Sequence, residues 1–170
     1  PALVALLAGH GVSRLVDVRT VPKSRHNPQY NSDALARDLP AAGIAYRPFA
    51  ALGGLRHPRP DSPNLGWRNA SFRGFADYMQ TPAFAAALAE LVALAGEAPT
   101  AIMCAEAVPW RCHRSLIADA LAARGHQVRH IVGAGQARPH AMTPFARVRG
   151  ETVTYPAEQP DLFAAPPEAG

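Results

Sequence analysis

The sequence predicts an α/β domain with a mainly parallel sheet and helices on both faces, as in Rossmann-like three-layer folds. Two observations carry this prediction. Short apolar runs, typical of buried strands, alternate along the chain with segments whose apolar residues have helical spacing. The 170 residues are also 48% hydrophobic and only 18% charged. This composition excludes a disordered chain, and the length suffices for one full core.

The first half of the chain is predicted to hold two helices, two strands and one long loop. An apolar segment that stops at a glycine indicates a helix over residues 2–8. The unbroken apolar run within residues 13–18 indicates a parallel strand that is covered on both faces. A second helix over 32–39, a strand over 44–49 and a proline-rich surface loop over 57–69 follow.

The alternation continues in the second half. A short helix is predicted over residues 72–79, and a Thr-Pro pair at 81–82 marks the start of the clearest helix. A strand over 101–103 then leads to a helix over 114–124. The apolar residues within 128–132 predict a further parallel strand of the same sheet.

The last part of the chain differs in composition. Residues 146–154 alternate around Gly150 like a small C-terminal β-hairpin. The segment that follows is rich in proline and alanine. We therefore expect a single α/β domain over residues 1–155 and an extended tail over residues 156–170.

Cysteine content, apolar runs and charge limit the location and the partners. Two cysteines cannot build a disulfide framework, so free thiols in a reducing cytoplasm are expected. No apolar run approaches the ~18–20 residues of a membrane helix, and no signal peptide is evident, so a membrane is not an expected partner. The net charge is +4, and only one of the basic residues, Lys23, is a lysine. Arginine suits contacts with carboxylate or phosphate, so an anionic partner is expected.

Special residues are predicted to meet at one edge of the sheet. Parallel strands end on the same side, and ligands bind beyond the carboxyl ends of such strands. The residues that follow predicted strands are Asp17 with Arg19, Gly53 with Gly54, Cys104 with Glu106, and the segment 130–135. We therefore expect a single cleft that binds an anionic small molecule or a nucleotide-like group.

The strand–loop–helix unit over residues 101–114 carries most of the reactive side chains. Cys112 lies at a predicted helix start, where backbone N–H groups and the helix dipole favour a thiolate or a bound anion. Glu106 suits a general acid or base. The candidate catalytic residues are Cys112, Glu106 and His113. The candidate ligand-binding residues are Asp17, Arg19, Ser24, Tyr46, Gly53, Gly54, Cys104, Arg111 and Arg114.

Most of these residues also have a structural interpretation. The cysteines behave equally well as small buried residues, and Asp17, Arg19 and Glu106 suit a buried ion network. Zinc sites show paired ligands at short spacing, and Cys-x7-Cys-His is not such a pattern, so neither a metal nor a cofactor is expected. A phosphatase loop is excluded, because one residue too many separates Cys104 from Arg111.

A non-catalytic nucleic-acid-binding module is the alternative from another functional class. Two loops combine basic residues with aromatic ones, a combination that suits single strands or flipped bases. The first loop contains Lys23, Arg25 and His26, and the second contains Arg56, His57, Arg59, Arg68 and Arg73 together with Trp67 and Phe72. No established DNA or RNA module accompanies them.

Several motifs occur together in one order: L-V-D-V-R-T-V-P-K-S-R, G-I-A-Y with L-G-G, C-A-E-x-x-P-x-x-C-H-R, V-x-H-I and V-T-Y-P. Over residues 11–156 the chain resembles the domain of unknown function 488 family. The resemblance implies a bacterial three-layer α/β domain and no established activity. Members typically begin with a strand that reads roughly T-I-G-H-S. The resemblance therefore implies that this sequence lacks the family's first strand.

Overall fold

The computed structural model of the chain describes residues 2–22, 27–104 and 112–157. Its centre is a parallel sheet of three strands, β1 (Arg14–Asp17), β2 (Ala45–Pro48) and β3 (Thr100–Met103). The order across the sheet is β2–β1–β3. Asp17 lies beside Pro48 on one neighbour and Met103 on the other, so all three strands end at the same edge. The predicted α/β fold with a mainly parallel sheet is confirmed.

Five helices surround this sheet in the described ranges: α1 (Ala2–Gly9), α2 (Ser32–Ala41), α3 (Ala70–Met79), α4 (Pro82–Glu97) and α5 (Arg114–Ala123). The predicted cap of α4 is present, because the Thr81 hydroxyl accepts the N–H of Phe84. None of these helices alone is long and apolar enough to cross a membrane; α3 and α4 meet that requirement only as a pair bent by 82°.

The alternation of side chains along the strands explains why helices cover both faces. Leu15 of β1 packs with leucines of α1 and α2, whereas its neighbour Val16 packs into a larger cluster with α3, α4 and α5. On β3, Met103 joins the first cluster and Ile102 the second. Successive strand residues point to opposite faces, so an unbroken apolar strand needs two apolar layers.

One predicted strand of the parallel sheet is placed differently. Residues 128–132 contain only the two-residue strand β4 (Arg129–His130), which pairs antiparallel with β5 (Arg138–Pro139). In the described structure β4 therefore belongs to a separate two-stranded sheet, and the prediction of a fourth parallel strand is wrong. The intervening segment, which contains Gly133 and Gly135, reverses the chain and returns it to β4.

The C-terminal hairpin agrees with the prediction. Strands β6 (Arg147–Arg149) and β7 (Thr152–Thr154) pair antiparallel around Gly150, whose φ of 61° suits a glycine in a tight turn. Tyr155, the next residue, is fully buried. Residues 158–170 of the predicted tail lie outside the described residues.

Candidate functional site

A buried ion pair lies at the carboxyl end of β1. The guanidinium of Arg19 donates from Nε to Oδ1 of Asp17 at 2.8 Å and from Nη2 to Oδ2 at 2.6 Å. The hydroxyl of Tyr46 on β2 donates to the same Oδ2 at 2.6 Å. Asp17 and Arg19 are only 1% and 8% exposed. These contacts join β1 to β2, and they satisfy both oxygens of the Asp17 carboxylate.

The pairing determines what Arg19 is able to do. Burial alone would lower the pKa of Arg19, but its hydrogen bonds and the charge of Asp17 raise that pKa overall. Burial and the same carboxylate raise the pKa of the Tyr46 hydroxyl. Two N–H groups of the Arg19 guanidinium already donate to the carboxylate of Asp17. Arg19 therefore matches the structural interpretation, a buried ion pair, more closely than an anion clamp.

His113 joins this edge to the start of α5. Its Nε2 lies 2.8 Å from the carbonyl oxygen of Leu52 and 3.2 Å from that of Val18, so Nε2 carries the proton and donates it. The other nitrogen, Nδ1, lies 3.5 Å from Sγ of Cys112. Burial lowers the pKa of His113, although the two carbonyl oxygens oppose this effect. The ring is therefore neutral at neutral pH and turns a basic nitrogen toward the sulfur.

The two glycines after β2 allow this close packing. A Cβ atom on Gly54 would lie 2.6 Å from Nδ1 of His113, and one on Gly53 would collide with the side chain of Thr20. The backbone of Gly54 thus lies directly against the His113 ring, and that of Gly53 lies against Thr20. Both glycines take part in shaping the edge, although no described contact assigns them a ligand.

The cysteines are not free. The Sγ atoms of Cys104, which follows β3, and Cys112, which precedes α5, form a disulfide. The expectation of free thiols, which rested on cysteine count and compartment, is wrong because the end of β3 and the start of α5 lie close enough for the two sulfur atoms to bond. Cys112 is 4% exposed, and its Sγ accepts the N–H of Arg114 at 3.4 Å.

Three predicted site residues, Ser24, Glu106 and Arg111, lie outside the described residues. The first basic loop of the nucleic-acid alternative, around Arg25, lies outside them as well. Among the described residues, no group of three or more His, Cys, Asp or Glu side chains is arranged to hold a metal ion.

A cavity of about 830 Å³ lies between β3 and the segment 126–132. Its walls are largely aliphatic, with contributions from α1, α4 and β3 such as Leu3, Val92 and Ile102. The polar residues that line it are Cys104, Thr100, Gln127, Arg114, Arg129, His10, His126 and His130. The described lining contains no aspartate or glutamate. The cavity is therefore apolar along its walls and positive in its charged groups.

Sequence reasoning missed a buried cluster around Asp119 of α5. Asp119 is fully buried and accepts hydrogen bonds from His140, Tyr155 and the backbone of Thr143. His140 in turn contacts His130. Burial opposes ionisation of Asp119, but these donors hold its pKa below the usual value. An aspartate in the middle of an otherwise apolar helix was the only available signal.

The second basic loop uses its side chains internally. Arg56 lies over the Tyr78 ring at 3.7 Å, Arg59 pairs with Asp61, and Arg73 donates to the Trp67 carbonyl. The Trp67 ring packs against three other aromatic rings. These contacts give Arg56, Arg59, Arg73 and Trp67 structural partners, and none of the contacts favours a nucleic-acid interface.

Comparison with known proteins identifies the family of the chain. The sequence model described as "Domain of unknown function DUF488" matches residues 2–121. The chain belongs to this family. No curated protein and no solved structure matches it with significant similarity. The matched residues of the DUF488 domain include the ion pair, both cysteines and Asp119, whereas His130 and His140 follow the matched region.

Proposed function

We propose that this DUF488 protein binds a small anionic thiol in the cavity beside β3 and exchanges it with the Cys104–Cys112 disulfide. The observation that carries the proposal is the cavity lining. It brings Cys104 together with Arg114, Arg129 and three histidines, and its described part holds no carboxylate. Among the described residues, its walls include no Phe, Tyr or Trp ring on which a base would stack, so an aliphatic anion suits this part of the cavity better than a nucleotide-like group.

The different exposure of the two cysteines gives the exchange a direction. Cys104 lines the cavity and Cys112 is buried, so an incoming thiolate bonds to Sγ of Cys104. The Cys104–Cys112 bond then breaks, and its electron pair leaves on Sγ of Cys112. A second thiolate bonds to the sulfur of the first and releases Cys104 as a thiolate. Two substrate thiols thus become one disulfide, and the cysteine pair is reduced.

The start of α5 stabilises the leaving sulfur. The N–H of Arg114 already points at Sγ of Cys112, and the partial positive charge of a helix start lowers the pKa of a thiol located there. A leaving thiol of lower pKa departs faster. In the backward direction, Nδ1 of His113, 3.5 Å from the sulfur, accepts the proton of the Cys112 thiol, and the resulting thiolate attacks the mixed disulfide at Cys104. Cys112 and His113 therefore act through ionisation of the buried sulfur. The backward step needs a small disulfide as the oxidant.

Thiols of similar size and different charge test the proposal. We expect 3-mercaptopropionate, compared per thiolate, to reduce the pair at least about tenfold faster than cysteamine, with 2-mercaptoethanol between them. Arg129→Gln should reduce the difference in rate between 3-mercaptopropionate and cysteamine, and high salt should also reduce it. His57→Gln, in the exposed second loop, is the control. Equal rates for all three thiols would contradict an anion-selective cavity.

A salt titration of DNA and RNA binding separates this proposal from the nucleic-acid alternative. A small-molecule site predicts no binding of short oligonucleotides at moderate salt. A high affinity that falls steeply with salt, as counterion release requires, would support the alternative instead.

A further inference from the structure

The cluster around Asp119 forms a continuous chain of hydrogen bonds that ends at the cavity. Oδ1 of Asp119 lies 2.7 Å from Nε2 of His140, and Nδ1 of His140 lies 2.7 Å from Nε2 of His130. His130 lines the cavity beside β3. The carboxylate end is buried, because the side chain of Asp119 is 0% exposed and that of His140 is 6% exposed.

The buried carboxylate determines which nitrogen of each ring carries the proton. An ionised Asp119 only accepts hydrogen bonds, so Nε2 of His140 must be the donor. When each ring carries one proton, Nδ1 of His140 is an acceptor, and Nε2 of His130 must donate to it. The proton of His130 is then on Nε2, and Nδ1 is left with its lone pair. No described group donates to or accepts from this Nδ1.

We propose that Asp119 and His140 position His130 as a general base that activates water for hydrolysis of small, apolar esters in the cavity. The inference shares the cavity of the proposed function but uses none of its cysteine chemistry. His130 is the catalytic residue, and Asp119 and His140 are positioning residues. Tyr155 and the Thr143 N–H hold the carboxylate in place.

The step balances without a further reactant. Nδ1 of His130 takes a proton from water, and the water oxygen bonds to the acyl carbon. The bond to the leaving alkoxide then breaks, and His130 returns the proton to it. While His130 is cationic, its Nε2–H shares the positive charge with His140, whose Nε2–H faces Asp119. In hydrolases the carboxylate bonds directly to the imidazole of the base, whereas here His140 lies between Asp119 and His130.

The charges around His130 favour its neutral form. Burial is the main reason that the pKa of His130 is lowered, and His140 and Arg114 add to the effect while Asp119 opposes it. His140, Arg114 and Asp119 are the charged or titratable groups whose interaction with the ring shifts its pKa, and Arg138 lies opposite His130 on β5. The base is therefore unprotonated at neutral pH, and ester hydrolysis should decrease as acid protonates it.

Hydrolysis of p-nitrophenyl butyrate by the oxidised full-length chain tests the proposal. This neutral ester needs no anion site, and with both cysteines in the disulfide no thiol can attack it. His130→Gln should lower the rate about 100-fold and His140→Gln at least about tenfold. His57 is exposed and lies far in sequence from Asp119, His130 and His140. The control variant His57→Gln should therefore hydrolyse the ester as fast as the wild type does.

Long-range ¹H–¹⁵N NMR of the histidine rings is the second measurement, and it needs no variant. At pH 8 we expect Nε2-protonated rings for both His130 and His140. A proton on Nδ1 of His130 would overturn the proposal, and so would wild-type hydrolysis no faster than that of His130→Gln. Failure of the anionic thiol to react preferentially would contradict only the proposed function.

Discussion

Helix α5 carries two histidine sites that are built in different ways. At its start, His113 is next in sequence to Cys112, and backbone carbonyls of Val18 and Leu52 hold the ring. Further along, Asp119 meets His140 across 21 positions, and His140 meets His130 across 10. The first ring is oriented by main-chain atoms and the second by a buried side-chain charge. The second site should therefore respond far more strongly to a single substitution.

Asp119→Asn should give the largest effect. The variant keeps the side-chain volume but removes a buried negative charge that three groups donate to. We expect the free energy of unfolding to fall by about 3 kcal/mol, the lower end of what breaking a buried ion pair costs. Urea denaturation at pH 7 measures this. Asp61→Asn, which breaks the exposed pair with Arg59, should produce no measurable change and is the matched control.

The pH dependence of stability tests the first site. Because the folded state lowers the pKa of His113, the unfolded chain binds the proton more readily as acid is added. The contribution of His113 is complete above its unfolded pKa near 6.5 and is lost as pH falls toward its folded pKa. Between pH 7 and pH 5, the free energy of unfolding of His113→Gln should therefore fall less steeply than that of the wild type, by up to about 1.4 kcal/mol per pH unit. A variant whose profile remains parallel to that of the wild type would contradict the buried neutral ring.

Tyr46→Phe should have the smallest effect of the three and extends the comparison to the edge of β1. The substitution removes one hydrogen bond to Asp17 and leaves the three from Arg19, two from its guanidinium and one from its backbone N–H. We expect a loss of about 1 kcal/mol in the free energy of unfolding. Tyr30→Phe is the control, because Arg19 contacts the Tyr30 carbonyl rather than its hydroxyl. Equal losses in both variants would show that the Tyr46 hydroxyl contributes nothing specific.

The structure also changes the expectation for Arg19. As an anion clamp, Arg19→Ala would weaken ligand binding. In the structure, the Arg19 guanidinium is instead paired with Asp17. Arg19→Ala therefore leaves a buried carboxylate without its main partner. We therefore expect Arg19→Ala to lower the free energy of unfolding and to leave the anion preference of the cavity, measured with the thiol series, almost unchanged.

Local signals in the sequence determined most of the elements. The apolar run around Val16, the Thr81-Pro82 start of α4 and the turn at Gly150 depend on neighbours within a few residues, and these elements form where the sequence predicts them. The alternation of strands and helices also determined that β1 and β3 run parallel and end at the same edge of the sheet. Asp17 and Cys104 therefore lie at that edge. These properties follow from backbone geometry and periodicity.

Tertiary structure decided the contacts between distant side chains. Three features depend on how separate elements pack against one another. They are the Cys104–Cys112 disulfide, the separation of β4 from the parallel sheet, and the hydrogen bonds that link Asp119 to His130. No local pattern encodes a hydrogen bond across 21 positions. A buried carboxylate needs partners, but its identity as an aspartate does not say which residues supply them, since only packing brings the donors within reach.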